Sequence, residues 1–269
     1  MNNHVPPVVK NIIIINVLLF LATYIFDSSM NIKLDETLAL YYFDSPHFKP
    51  FQYISHIFMH GGIMHIFFNM FALFMFGKEL EIFWGSKRFF SYYMITGIGA
   101  AAFYTLTQYF QISAIQDAAN LYLSSPDIDK FTFFINDHFP EYYSRIYDVL
   151  ILPWSASPLS TEYIKQSAEA VQILLANKVN IPTVGASGAV YGILLAFGMM
   201  FPNVKLMMIF PLPMPIKAKY LVIIYGLMEL GLGIANRSGD NVAHFAHLGG
   251  MIFGFGLIKY WISTSKKRN

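Results

Sequence analysis

Apolar residues in this 269-residue chain gather into six long runs, separated by stretches where charged residues, proline and glycine collect. The runs lie at about 9–26, 61–77, 89–109, 183–201, 218–235 and 242–261. Each approaches the roughly 20 apolar residues that a helix needs to cross a bilayer. The first is interrupted by Asn11 and Asn16 and has no small-residue cleavage site after it, so it reads as a retained anchor. The pattern predicts an all-α membrane protein, a bundle of six transmembrane helices.

The segments between the runs differ in kind. Residues 27–60 read as an outer loop of aromatic, amphipathic character, with Leu40, Tyr41, Tyr42, Phe43, Phe48 and Phe51. Residues 78–88 read as a short inner turn. Residues 110–182 are far longer than a turn and too rich in rings for a disordered linker. They predict a long extracytoplasmic insertion between the third and fourth spans. Within it, Ser160–Lys178 carries Tyr163, Ile164, Ala168, Val171, Leu174 and Leu175 near helical spacing, which predicts an amphipathic helix. Pro182 suits the first turn of the next helix, where its missing N–H costs nothing. The inner loop 202–217 holds Pro202, Pro211, Pro213 and Pro215, which argue against a continuous helix.

Composition agrees with a membrane setting. Only 13% of residues are charged, against about 25% in soluble domains, and mean hydropathy is +0.47. The net charge of +2 is less telling than its distribution. With six spans, one side collects eleven basic residues against Glu79 and Glu81 alone, while the other holds seven basic residues and thirteen acids. The basic side is expected to be cytoplasmic and to contain both termini, as in a prokaryotic plasma membrane. The lack of cysteine excludes disulfides and thiolate catalysis. No internal repeat, phosphate-binding glycine loop or basic nucleic-acid patch is visible.

Polar chemistry enters three helices expected to run inward from the outer face. Gly185-Ala186-Ser187-Gly188 opens the fourth run, and Ala246-His247-Leu248-Gly249-Gly250 lies near the head of the sixth. Ser187 stands about five residues past Pro182, roughly 7–8 Å along at 1.5 Å per residue. His247 stands a similar distance past Asn241, a plausible N-cap. His65 and Asn69, four apart on the second run, share one face. Four polar groups thus reach a similar shallow depth, where polar side chains are costly and usually functional. Gly188/Gly192 and Gly250/Gly254 are small-residue pairs four apart, the spacing that lets helices approach closely. Such packing would itself bring Ser187 to His247.

Other readings are weaker. A lone intramembrane serine usually bonds its own backbone. Gly185–Ala189 departs from the G-x-S-x-G elbow of soluble hydrolases, and no strand precedes it. His56, His60 and His65 suggest a metal cluster, but no H-E-x-x-H or second acid ligand accompanies them. Gly239-Asp240 lies in a loop with no intramembrane partner aspartate. Glu229 sits inside a span and reads as a protonated or hydrogen-bonded packing residue, with a proton relay as the alternative.

In combination, His65-x-x-x-Asn69, Gly185-x-Ser187-Gly188 and Ala246-His247-x-x-Gly250-x-x-x-Gly254 resemble the rhomboid family of intramembrane serine proteases. The resemblance covers the six-span core and leaves 110–182 largely unmatched. It implies a Ser187–His247 dyad with no third acidic member and no cofactor or metal. It also implies an oxyanion site from the Ser187 N–H with His65 and Asn69, and Tyr191 against the imidazole. His60 would sit near a water route. Substrates would be transmembrane proteins cut near the outer face, admitted past a gate formed by Asn236–Gly239 and the neighbouring span. Two features depart from the family. Phe51-Gln52 stands where many members carry a Trp-Arg pair that anchors the first outer loop, and 110–182 offers a surface for substrate or a partner. Alternatives are a catalytically silent relative that binds membrane clients, and a small channel or transporter using Glu229 and the histidines.

Overall fold

The computed structural model describes residues 4–208, 214–235 and 242–266. The expected gate at Asn236–Gly239, together with Asp240, Asn241, Pro211 and Pro213, lies outside the described residues. The fold is mostly helical. Helix α1 (Pro7–Met30) starts with proline at its first position and ends at Asn31 in the left-handed region (φ 52°). Asn16 is buried and donates to Ile12 O, whereas Asn11 faces outward. Short helices α2 (Leu34–Leu38) and α3 (Gln52–Ser55) follow. Next come α4 (Ile63–Ala72), a π-helical turn at Leu73–Gly77 and α5 (Lys78–Trp84). Then α6 (Ser86–Ser124) leads to α7 (Ile128–His138), α8 (Pro140–Ile146), α9 (Leu152–Ala156) and α10 (Thr161–Val179). Helices α11 (Ser187–Met200), α12 (Ala218–Ala235) and α13 (His244–Lys266) complete the chain.

Helices α1, α6, α12 and α13 are each long and apolar enough to cross a membrane. Gln52–Phe58 and Ile63–Trp84 form a pair bent by 93°, a fifth candidate if counted as one span. Helix α11 is apolar but has 14 residues, about 21 Å of rise.

Several expectations need correction. The turn expected at 78–88 is helical through Trp84, and the reversal is made by Gly85 alone at φ 80°. The third run was expected to end near 109, yet α6 continues to Ser124, since 110–124 contains neither glycine nor proline. Its extension carries Ile115, Ala119 and Tyr122 into a second hydrophobic core with Phe131, Phe134, Trp154 and Val171. The amphipathic helix expected at Ser160–Lys178 is α10. Pro182 is not in a helix: Thr183 pairs with Leu40 in an antiparallel bridge, and α11 begins only at Ser187. The all-helical expectation is amended by a hairpin of β1 (Lys205–Met208) and β2 (Met214–Lys217), paired Lys205 with Lys217. The prolines that rule out a helix there tolerate an edge strand.

Two polar side chains hold the periphery in place. Glu81, 2% exposed, accepts from the N–H groups of Val8 and Val9 at 3.0 and 2.8 Å and from Ser86 Oγ at 2.6 Å. A carboxylate on otherwise orphaned helix N–H groups is favourable, so one acid on the basic side ties α1, α5 and α6 together. Gln52 is fully buried. Its amide donates to Thr37 O and His47 O, and its carbonyl accepts from Lys49 N and Tyr41 N. The loop between α2 and α3 is therefore anchored through Gln52.

Gln52→Ala strands these buried backbone groups, each costing about 1–3 kcal/mol unless water reaches it. Thermal unfolding in detergent is expected to show a loss of about 2 kcal/mol or more, with Gln52→Glu intermediate.

Candidate active site

The chain returning from α10 is stitched to the segment that follows α2 before it becomes α11. Leu40 and Thr183 exchange backbone bonds at 2.9 and 2.8 Å, and Gly185 N–H donates to His56 O at 2.9 Å. Gly185 then takes φ +128°. A side chain there would be strained and would also meet His65 Nε2 at 2.7 Å. This glycine lets the chain turn into α11 while the imidazole of α4 lies against its backbone.

Ser187 is the first residue of α11. The first bond of the ladder runs from Val190 N–H to Ala186 O, so the N–H groups of Ser187, Gly188 and Ala189 precede it. The sequence expectation of 7–8 Å of helix before Ser187 fails because the bridge holds residues 182–186 in a non-helical path. His247 lies in the first turn of α13, with its Nε2 2.9 Å from Ser187 Oγ.

That contact depends on an absence of side chains. A Cβ on Gly250 would stand 1.9 Å from Gly188 O, and one on Gly188 would stand 2.4 Å from Ala100 Cβ. Gly192 lies against Thr96, and Gly254 against the Tyr92 hydroxyl, which donates to Gly192 O at 2.8 Å. Helices α6, α11 and α13 are packed at backbone distance along this seam.

Tyr191, one turn beyond Ser187, stacks on His247 with centroids 4.2 Å apart and planes 8° from parallel. Its hydroxyl donates to Glu229 Oε1. Glu229 Oε2 lies 2.6 Å from His244 Nδ1 and 2.9 Å from His247 Nδ1. The second contact is close but out of line for a hydrogen bond. All three side chains are buried.

His65 accepts a long bond from Gly61 N–H at Nδ1 (3.4 Å), which leaves Nε2 to carry the proton toward Gly185. Asn69 is buried, and one N–H of its amide donates to His65 O at 2.9 Å. His60 meets His65 edge-on at 5.0 Å, and neither of its ring nitrogens has a hydrogen-bond partner. His56 is held by Gln52 O through Nδ1 at 2.8 Å. Among the described residues, the group of acids and histidines close enough to share a metal ion is Glu229, His244 and His247, within 4.8 Å. Their contacts of 2.6 and 2.9 Å are hydrogen-bond lengths, shorter than the roughly 3.3 Å between donors around a tetrahedral zinc.

A hydroxyl at a helix head against a buried imidazole, with the N–H groups of the first helical turn beside it, is an arrangement that can activate a serine. A family model described as Rhomboid domain matches residues 47–114 and 163–264. The chain belongs to the rhomboid family. Members of this family are generally intramembrane serine proteases, and this rhomboid chain is an integral membrane protein. No curated protein matches it. Between the two matched segments the interval 115–162 is unmatched, so helix α10, within the expected insertion, belongs almost entirely to the family match.

The structure places Ser187, His247, His65, Gly185 and Tyr191 beside one another, and it joins to them Glu229 and His244, which the sequence reading left apart. The signal was present: His244 and His247 stand three apart on one helix face, and Glu229 is the one acid inside an apolar span.

Gly250→Ala forces α13 away from α11. It is expected to separate His247 from Ser187 and to cost about 1–3 kcal/mol or more. Gly256→Ala, with nothing within 4 Å of the new methyl, is the control. Unfolding temperature and labelling by a fluorophosphonate should both fall in the first variant and hold in the second.

Proposed function

We propose that this rhomboid-family protein is an intramembrane serine endopeptidase that cuts transmembrane proteins near the outer membrane face. The observation that carries the reading is the 2.9 Å contact between Ser187 Oγ and His247 Nε2. Ser187 Oγ attacks the scissile carbonyl carbon while His247 Nε2 takes the hydroxyl proton. The oxyanion forms beside the Ser187 N–H, with His65 and Asn69 as side-chain donors; donors aimed at developing charge are worth most in a water-poor pocket. His247 returns the proton to the leaving amine, and the acyl group on Ser187 is then released by a water that gives its proton to the same imidazole. Asn69 serves by turning its amide from its present bond to the developing charge.

In this reading the chain spans six times, with the bent α3–α5 segment and the short α11 as the second and fourth passes. The basic residues mark the inner side and put both termini in the cytoplasm of a prokaryotic cell. Residues 110–182 then lie outside as a surface for substrate or a partner. Asn236–Gly239 gates lateral access. Substitutions in the gate should change the rate of substrate cleavage while Ser187 labelling persists.

A fluorophosphonate probe on the detergent-purified protein tests the reading. Wild type should be labelled, and Ser187→Ala and His247→Ala should each lose at least about 10³-fold. A folded wild type that takes no label overturns the proposal in favour of a silent client-binding relative.

A further inference from the structure

Glu229 is a buried carboxyl group in an apolar helix, with 6% of its surface exposed. Removing a carboxylate from water costs several kcal/mol unless donors surround it. A residue serving only to pack α12 needs any donors that are near. The donors here come from the site: Tyr191 OH on α11 at one oxygen and His244 Nδ1 on α13 at the other, with His247 Nδ1 2.9 Å from that second oxygen as a neighbouring charge. Tyr191 is the ring stacked on His247, and His247 is the ring against Ser187. Among the described residues, the carboxylate thus lies against the imidazole itself, the phenol stacked on that imidazole, and His244, whose ring meets the His247 ring edge-on at 6.3 Å.

We propose that Glu229 is the positioning residue of the site, the third member of a Ser187–His247–Glu229 array. The inference rests on the proposed function of Ser187. For Nε2 to face the serine with its lone pair, the imidazole proton must sit on Nδ1. A carboxylate oxygen 2.9 Å from Nδ1 favours that tautomer and stabilises the imidazolium formed when Ser187 gives up its proton. Because the contact is out of line, the carboxylate acts on His247 as a nearby charge. Its alignment comes from elsewhere. His244 Nδ1 at 2.6 Å fixes one oxygen, and the Tyr191 hydroxyl on the other holds the phenol ring parallel to the imidazole it covers. One acid sets the proton on His247 and the plane in which the ring lies.

The test compares wild type with Glu229→Gln and Glu229→Asp as full-length protein in detergent, following fluorophosphonate labelling over a range of probe concentrations. Thermal unfolding is measured alongside. Glu229→Gln should lower the saturating labelling rate by about 10²-fold or more, with the half-saturating concentration little changed, and Asp should restore part of the rate. Histidine-selective nitrogen NMR of wild type should find His247 with its proton on Nδ1, so the idea is testable even where a variant fails to fold. Three results overturn it: Glu229→Gln labelling at the wild-type rate, a loss of rate that merely follows a lower unfolding temperature and is not restored by Asp, or a wild-type His247 carrying its proton on Nε2. A wild type that takes no label sinks the protease reading instead, which keeps the two failures apart.

Discussion

Two helix backbones can touch only where neither carries a side chain, and the site exists because α11 and α13 meet at such a place. Gly250 leaves no room even for a methyl group against Gly188 O. Ser187 precedes that contact by one residue and His247 precedes it by three, so the crossing that closes the seam also sets the serine–imidazole distance. With lipid on the outside, burying apolar surface gives little reason for one helix to prefer another; close van der Waals packing of small residues supplies it. Gly188, Gly192, Gly249, Gly250 and Gly254 therefore serve stability and chemistry through a single geometric requirement.

That tight seam has an electrostatic counterpart in how buried polar groups are satisfied. Glu81 and Glu229 are both buried acids in a chain with few charges, and each is met by donors from two other helices or their ends. Glu81 accepts from the head of α1, where the partners are backbone groups and the result is a fastened helix. Glu229 accepts from a phenol and lies against imidazoles, groups whose protons and orientations matter to a neighbouring hydroxyl. The same physical compensation thus has a structural outcome at one end of the molecule and bears on chemistry at the other. The nature of the donors makes the difference, since backbone N–H groups hold their protons and imidazoles exchange them.

What the sequence made legible was local periodicity and motif spacing. The i, i+4 pair His65 and Asn69 and the amphipathic α10 were readable because helical geometry converts spacing directly into position, whereas α13 begins at His244, later than the start expected after Asn241. Ser187 was expected deeper in its helix than it stands, because the bridge between Leu40 and Thr183 joins residues more than 140 positions apart and leaves no local trace. Gln52 was judged by the pair it replaces. Its four backbone partners belong to a folded loop whose path no periodicity encodes. Glu229 was seen as an acid in a span, yet its partners sit on two other helices, and only the crossing at Gly188 and Gly250 brings them to it. The continuation of α6 past 109 was missed for a different reason: an apolar run marks where a helix is hydrophobic, and the helix itself stops only at the Ser125-Pro126 step.

The stitching of Thr183 to Leu40 also changes how Ser187 is held. Its helix begins where a non-helical strap ends, and that strap is bonded to Leu40 and His56 on the far side of the site. His56 in turn is fixed by Gln52, which gathers the loop between α2 and α3 around itself. The backbone of Ser187 is thus positioned from the loop around Leu40 and His56, while the His247 imidazole beside it is positioned from the seam and from the groups around Glu229. A site built from two independently anchored halves keeps its contact only while both anchors hold. Gln52 and Gly250, far apart in sequence and unlike in chemistry, consequently bear on the same 2.9 Å distance.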